Sequence, residues 1–243
     1  MKASLPVAIF AYFVLLSTPA CVQSQMDQDR NYIFTEGTAE VTGQNDSARI
    51  SIAVRTEDRD IEKTASENAG RTRAVLSMLE DAGVENLRLE TRNYRITPQR
   101  DYKSKPVKIT GYEAYNEIEV TMEGLDPDTL SRHMSKVLGK VIEAGANDIN
   151  NILFYIKDKK LLEKEGLDRA TREAIDRAEI LAEAAGVTLK RIASISTQPI
   201  SSPVKPQVFR AAKMALESNA VEPPIESGES KIYVHVSIAY EME

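Results

Sequence analysis

The sequence predicts an α+β fold: a largely antiparallel sheet or sheets, with helices packed on one face. Three observations predict it. Several runs alternate apolar and polar residues with period two. Three longer stretches carry apolar stripes at helical spacing, and the last of these stripes is mostly alanine. The elements follow the order ββαββ, then αβ, then αββ, which favours hairpins over a regular parallel crossover pattern.

The stretch Leu167 to Gly186 organises the rest. Leu167, Ala170, Ala174, Ala178, Leu181, Ala182 and Ala185 recur on one side of a helix. An alanine face lets a helix lie close to a flat sheet. Arg169, Arg172, Glu173, Asp176, Arg177 and Glu183 fall largely on the other faces. Gly186 stops the helix.

Taken in order, strands begin after a polar leader. Ile33, Thr35, Gly37, Ala39 and Val41 alternate with Phe34, Glu36, Thr38 and Glu40. Ala48, Ile50, Ile52 and Val54 alternate with Ser47, Arg49, Ser51 and Arg55. The Gly43-Gln44-Asn45-Asp46 turn between them predicts a hairpin with one buried face. A helix is expected from about Asp60 to Ala82, with Ile61, Ala65, Ala69, Thr72, Val75, Leu76 and Leu79 inside and Asn68 at the stripe's edge. Leu87 to Ile96 reads as a strand broken by Pro98, and residues 97–108 as a polar turn.

The run around residues 112–122 alternates most cleanly. Tyr112, Ala114, Ile118, Val120 and Met122 point one way, and Glu113, Tyr115, Glu117, Glu119 and Thr121 the other. The acidic row reads as a solvated sheet face rather than a cation site. Asn116 lies on the apolar side and is expected to find a hydrogen-bond partner there. Asp126-Pro127-Asp128 opens a second helix as N-cap, first-position proline and first-turn acid. Its core side is Leu130, Met134, Val137, Leu138 and Val141. A strand follows at 148–156, then a helix from about Leu161 to Ala185, with Gly166 a candidate interruption, then a strand at 188–197. Residues 199–229 are too long for a simple turn, with a short helix indicated at FRAAKMALES. Ile232, Val234, Val236, Ile238 and Tyr240 form the inner face of the last strand.

The chain has 243 residues, 42% hydrophobic and 28% charged, with a net charge of −6. That composition supports a real core. It argues against nucleic acid as a partner, and no run of Lys and Arg mixed with aromatics offsets it. Residues 1–20 read as a signal peptide: Lys2 first, then an apolar run from Leu5 to Leu16, then small residues before Cys21. The run is too short for a stable membrane anchor. Residues 21–30 read as a flexible leader and 31–243 as the folded part, with 31–125 and 126–243 as lobes if it divides. Cys21 is the only cysteine, so internal disulfides and multi-cysteine metal sites are excluded. It is the candidate lipid-attachment residue, since a polar tether follows it and a lone exposed thiol has little other use in an oxidising envelope; the competing reading is an ordinary signal-peptidase cut after Ala20 or after Ser24, which leaves Cys21 unmodified or removes it.

Chemistry is sparse. The two histidines, His133 and His235, fall on different elements. HExxH, GxSxG, GxxxxGK[ST] and GxGxxG do not occur. No cofactor, metal ligand set or catalytic residue is indicated. Asn45-Asp46-Ser47 matches the glycosylation sequon, but turn chemistry already accounts for it.

An ordered set of features resembles the SIMPL-domain family: Gly37 in an early strand, the Asn68 helix, Thr91, Tyr94, Pro98 and Tyr102, and Gly111-Tyr112-Glu113-Ala114-Tyr115-Asn116. Gly145-Ala146-Asn147 leading to Phe154, the regular alanines of 170–186, and Pro224 to Glu229 before the last strand complete it. The resemblance spans about Tyr32 to Glu241. It implies an α+β fold, a bacterial periplasmic or outer-membrane-associated setting and assembly into homo-oligomers. One group of the family is named for oxidative-stress defence. It implies no agreed catalytic residues. Two hypotheses follow. One is an exported non-catalytic envelope protein that binds or self-assembles, in oxidative or envelope stress, with a membrane surface as partner through the lipid anchor. The other is an enzyme with an unrecognised polar site near Asn68 and Asn116.

Overall fold

The computed structural model describes residues 30–198 and 223–243. The signal peptide, the leader with Cys21, and the short helix at FRAAKMALES lie outside the described residues. Within them the fold is α+β, with two antiparallel sheets and three helices. The strands are β1 (Asn31–Gln44), β2 (Ser47–Asp58), β3 (Leu87–Asp101), β4 (Lys108–Met122), β5 (Asp148–Tyr155), β6 (Leu189–Thr197) and β7 (Glu229–Met242). The helices are α1 (Ile61–Glu80), α2 (Pro127–Glu143) and α3 (Lys160–Ala185). One sheet has the order β1-β7-β6, the other β3-β4-β2-β5.

The expected β1–β2 hairpin does not form. β1 pairs with β7, from Asn31 opposite Met242 to Gln44 opposite Glu229, whereas β2 pairs with β4 and β5. The turn residues work as cross-links between the sheets instead. Asn45 Nδ2 donates to the Ser227 carbonyl at 2.8 Å, and Asn45 Oδ1 accepts from Ser230 Oγ at 2.6 Å. The Asp46 amide donates to the Tyr155 carbonyl, and the Asp46 carbonyl accepts from the Leu125 amide. Turn-forming residues therefore mark a crossing point here, because their side chains satisfy backbone groups of distant segments. Asn45 is only 3% exposed with its amide bonded at both ends, so a glycan has no room on it.

The four-stranded sheet carries the larger core. Ile50, Ile52, Val54, Ile118, Val120 and Met122 meet Val75 and Leu79 of α1 and Leu130, Met134, Val137 and Val141 of α2. Complete burial of each large aliphatic contributes about 1.5–3 kcal/mol. α2 begins as expected: Asp126 caps it by accepting from the Thr129 amide at 2.9 Å, with Pro127 in the first turn.

Two boundaries differ from expectation. β3 runs through Pro98 to Asp101, and the hairpin turn shrinks accordingly. Among the described residues β3 is an edge strand, where one side of the ladder is unpaired and proline is tolerated. The inner face of α1 is Thr64, Asn68, Thr72, Val75 and Leu79, so Ile61 and Ala65 are not buried and Asn68 sits on the buried face. The helix turns this partly polar face inward because hydrogen bonds hold it: Thr64 Oγ1 donates to the Asp60 carbonyl, and the Thr64 carbonyl accepts from Thr56 Oγ1.

α3 packs on β1 and β7 with Gly166, Ala170, Ala174, Ala178 and Ala182 buried. The alanine stripe holds as expected, but Leu181 and Ala185 at its edge are exposed. Gly166 does not interrupt the helix. It gives room: a Cβ there would lie 2.5 Å from Val234 Cγ2.

Candidate functional site

Asn68 and Asn116 both lie at the junction of α1 with the four-stranded sheet. Asn68 is fully buried, and its Nδ2 donates to the carbonyls of Val54 (2.8 Å) and Ala114 (3.2 Å). It thereby staples the helix to β2 and β4 at once. Val54 stands opposite Asn116 in the β2–β4 ladder, which places Asn116 beside this staple. Asn116 Oδ1 is buried and accepts no hydrogen bond among the described residues. Asn68 Oδ1 and Thr72 Oγ1, one helical turn apart, are likewise buried and unpartnered. Three orphan polar atoms thus belong to one helix–sheet junction. Such groups are costly without a water or ligand.

On the opposite face of this sheet the acidic row of β4 is neutralised rather than merely solvated. Glu113 pairs with Arg55 at 3.1 Å, Glu119 with Arg49 at 3.4 Å and with Arg92, and Glu117 accepts from Ser51 Oγ. Tyr115 lies between two guanidinium groups, 4.0 Å from Arg95 and 5.5 Å from Arg55 to the ring centroid. Among the described residues no cluster of His, Cys, Asp and Glu has the disposition of a metal site. His133 lies on α2 and His235 on β7, in different layers.

A polar cleft of about 390 Å³ lies at one end of this sheet, lined by Asn86, Leu87, Arg88, Thr121, Glu123 and Lys157. Glu123 accepts from Tyr155 Oη at 2.9 Å and pairs with Lys157 at 2.9 Å. Hydrogen bonds from Lys157, then Tyr155, hold the Glu123 carboxyl below its usual range. Burial, followed by the bond to Glu123, pushes the Tyr155 phenol up to about 12. Near neutral pH the acid is therefore ionised and the phenol protonated. Neither is poised for proton transfer, which needs a group titrating near the working pH. No motif joins these residues in the sequence. Only the end of β4 and the end of β5, brought together through β2, make them neighbours.

A family model for SIMPL, described as "Protein of unknown function (DUF541)", matches residues 33–240. The chain belongs to the SIMPL family. Curated relatives agree. The chain is 27% identical over 236 residues to the "26 kDa periplasmic immunogenic protein" of Brucella melitensis, covering 93% of this chain and 91% of that protein. It is 24% identical over 206 residues to the "Uncharacterized protein YggE" of Edwardsiella ictaluri, covering 84% of each. The YggE of Escherichia coli K12 matches at 27% over 150 residues, 62% of this chain and 57% of that protein. The SIMPL match begins at Ile33 and ends at Tyr240, so it takes in both sheets.

Proposed function

We propose that this SIMPL protein is exported to the periplasm and acts there by binding and self-assembly rather than by catalysis. One observation carries the reading. β6 is an edge strand with no second strand neighbour among the described residues. Its Ile192 and Ile195 stand opposite Tyr240 and Ile238, and so share the face that α3 covers. Among the described residues α3 lies mainly over β1 and β7 and only touches β6, and Ile192 is 38% and Ile195 53% exposed. An apolar edge strand of this kind is a template for pairing with another chain. α3 adds two exposed aliphatics, Ile180 and Leu181. The periplasmic relative and the signal-like residues 1–20 support the setting.

Sedimentation of the mature protein tests it. Assembled species are expected at micromolar concentration, and Ile195→Glu should shift them to monomer without lowering helix content. A monomer at every concentration contradicts assembly. Cys21 bears on attachment: mass spectrometry of the mature N-terminus is expected to find it acylated, and Cys21→Ser to release the protein from membranes washed at high salt, where the acylated parent stays bound. In an envelope-stress role, loss of the gene lowers peroxide resistance while the pure protein consumes no peroxide.

A second reading, an enzyme with its site at Asn68 and Asn116, is favoured by the orphan oxygens of those two residues. Binding of a small polar ligand that Asn116→Leu abolishes, with the fold intact, would support it.

A further inference from the structure

β2 stops pairing with β4 at Asp58 opposite Tyr112, yet β3 and β4 continue to pair as far as Asp101 opposite Lys108. The hairpin from Gln99 to Gly111 therefore stands beyond the sheet as a two-stranded arm. Its chemistry differs from that of the rest of the chain. It holds four cations, Arg100, Lys103, Lys105 and Lys108, against one acid, Asp101, in a protein whose net charge is −6. Asp101 is used locally, accepting from the Lys103 amide at 2.8 Å. Elsewhere in this sheet Arg49 and Arg92 pair with Glu119, and Arg55 with Glu113 and Asp148, while Arg95 stacks on Tyr115. None of the four arm cations has an ion pair among the described residues. Between them sit apolar side chains turned to solvent: Tyr102 (75% exposed), Val107 (51%) and Ile109 (53%). A tyrosine and branched aliphatics flanked by lysines suit an interface between water and acyl chains, where rings and stems enter and ammonium groups stay at headgroup level.

We propose that the 99–111 arm docks on an anionic lipid surface. Three lysines and an arginine meet the headgroup charge, and Tyr102, Val107 and Ile109 enter the interfacial layer. The contact is weak by itself, as a single small apolar tip must be. Beside an N-terminal lipid anchor it supplies a second, salt-sensitive contact with the bilayer. It also turns the four-stranded sheet end-on to the bilayer. This rests on the envelope reading only in requiring a bilayer within reach, and the test below is independent of export and of the anchor.

The test is vesicle flotation of the mature chain carrying Cys21→Ser, so that no acyl chain contributes. Vesicles of phosphatidylcholine with phosphatidylglycerol are compared with pure phosphatidylcholine. The protein is expected to float with the anionic vesicles alone and to be released by high salt. Lys103→Glu/Lys105→Glu/Lys108→Glu should weaken binding by at least about a hundredfold, since each cation near an anionic surface contributes several-fold. Tyr102→Ser/Ile109→Ser should weaken it several-fold on the same vesicles. Both variants lie in the exposed arm, and an unchanged melting curve shows that the fold survives. No flotation, or flotation that survives charge reversal, overturns the proposal. Assembly in vesicle-free solution that charge reversal dissolves, without flotation, also overturns it and assigns the arm to the acidic surface of a second copy.

Discussion

At the residue scale the most informative position is Gly37. A Cβ there would lie 1.9 Å from the Ala170 carbonyl oxygen and 2.7 Å from the Ala174 nitrogen, so β1 and α3 touch backbone to backbone. Thr35 Oγ1 donates to the Ala174 carbonyl at 2.8 Å beside it. Gly37→Ala is expected to cost about 3 kcal/mol or more, because a rigid backbone must move to admit the methyl group. Gly70, inside α1, has nothing within 4 Å of such a methyl, and Gly70→Ala should stabilise by up to about 1 kcal/mol. Thermal melting of the two variants should move in opposite directions, and equal shifts would mean that the β1–α3 contact is looser than described. In the sequence Gly37 was one small residue in an alternating strand. Its reason lies in a helix more than a hundred residues later. Asn68 shows the same limit: its polarity suggested the edge of a stripe, whereas two strand carbonyls draw it into the centre.

Glu173 carries a pH prediction at the same scale. It accepts from the Thr38 amide at 2.6 Å, and that bond, ahead of the nearby Arg177, holds its carboxyl below the ordinary 4.5. A depressed acid stabilises the fold above its unfolded value. That contribution falls away as pH drops below about 4.5 and through the lower folded value. Glu173→Gln should therefore lower the melting temperature at pH 7 and converge with the parent as the medium becomes more acidic. A gap that widens in acid would contradict the assignment.

At the scale of elements, legibility depended on whether the deciding forces were local. α2 was readable from its cap, its proline and its stripe, all within one segment. The alanine spine of α3 was readable too, since its period needs no partner to be seen. Ala174→Glu or Ala178→Glu is expected to cost several kcal/mol, because a carboxylate would be buried against β1 and β7 without a partner. Unchanged melting of both would mean that this face is not core. The β1–β2 junction is not legible in the sequence because a Gly/Asn/Asp cluster signals a turn without naming the strands on either side. The bonds that decide it reach Tyr155, Leu125 and Ser227, all distant in the chain. Pro98 reads as a strand end in the sequence because edge position, which makes it tolerable, is a property of the sheet.

At the scale of the whole molecule, the α+β class and the apolar faces of strands and helices are visible in the sequence. The division into two sheets was not, because pairing between the first and last strands leaves no local trace. The polar junction at Asn68 and Asn116 was half legible: the residues were singled out, but their orphan oxygens appear only once the helix is docked. Among the described residues the surface is distinguished by the edge strand β6, whose Ile192 and Ile195 are only partly covered. The most direct test is hydrogen exchange followed across protein concentration. Amides of β6 that point away from β7 should exchange fast in dilute protein and slow markedly as concentration rises, while those of the β3 edge stay unchanged. Exchange at β6 that is independent of concentration, in a sample shown to be assembled, would contradict self-assembly through this edge.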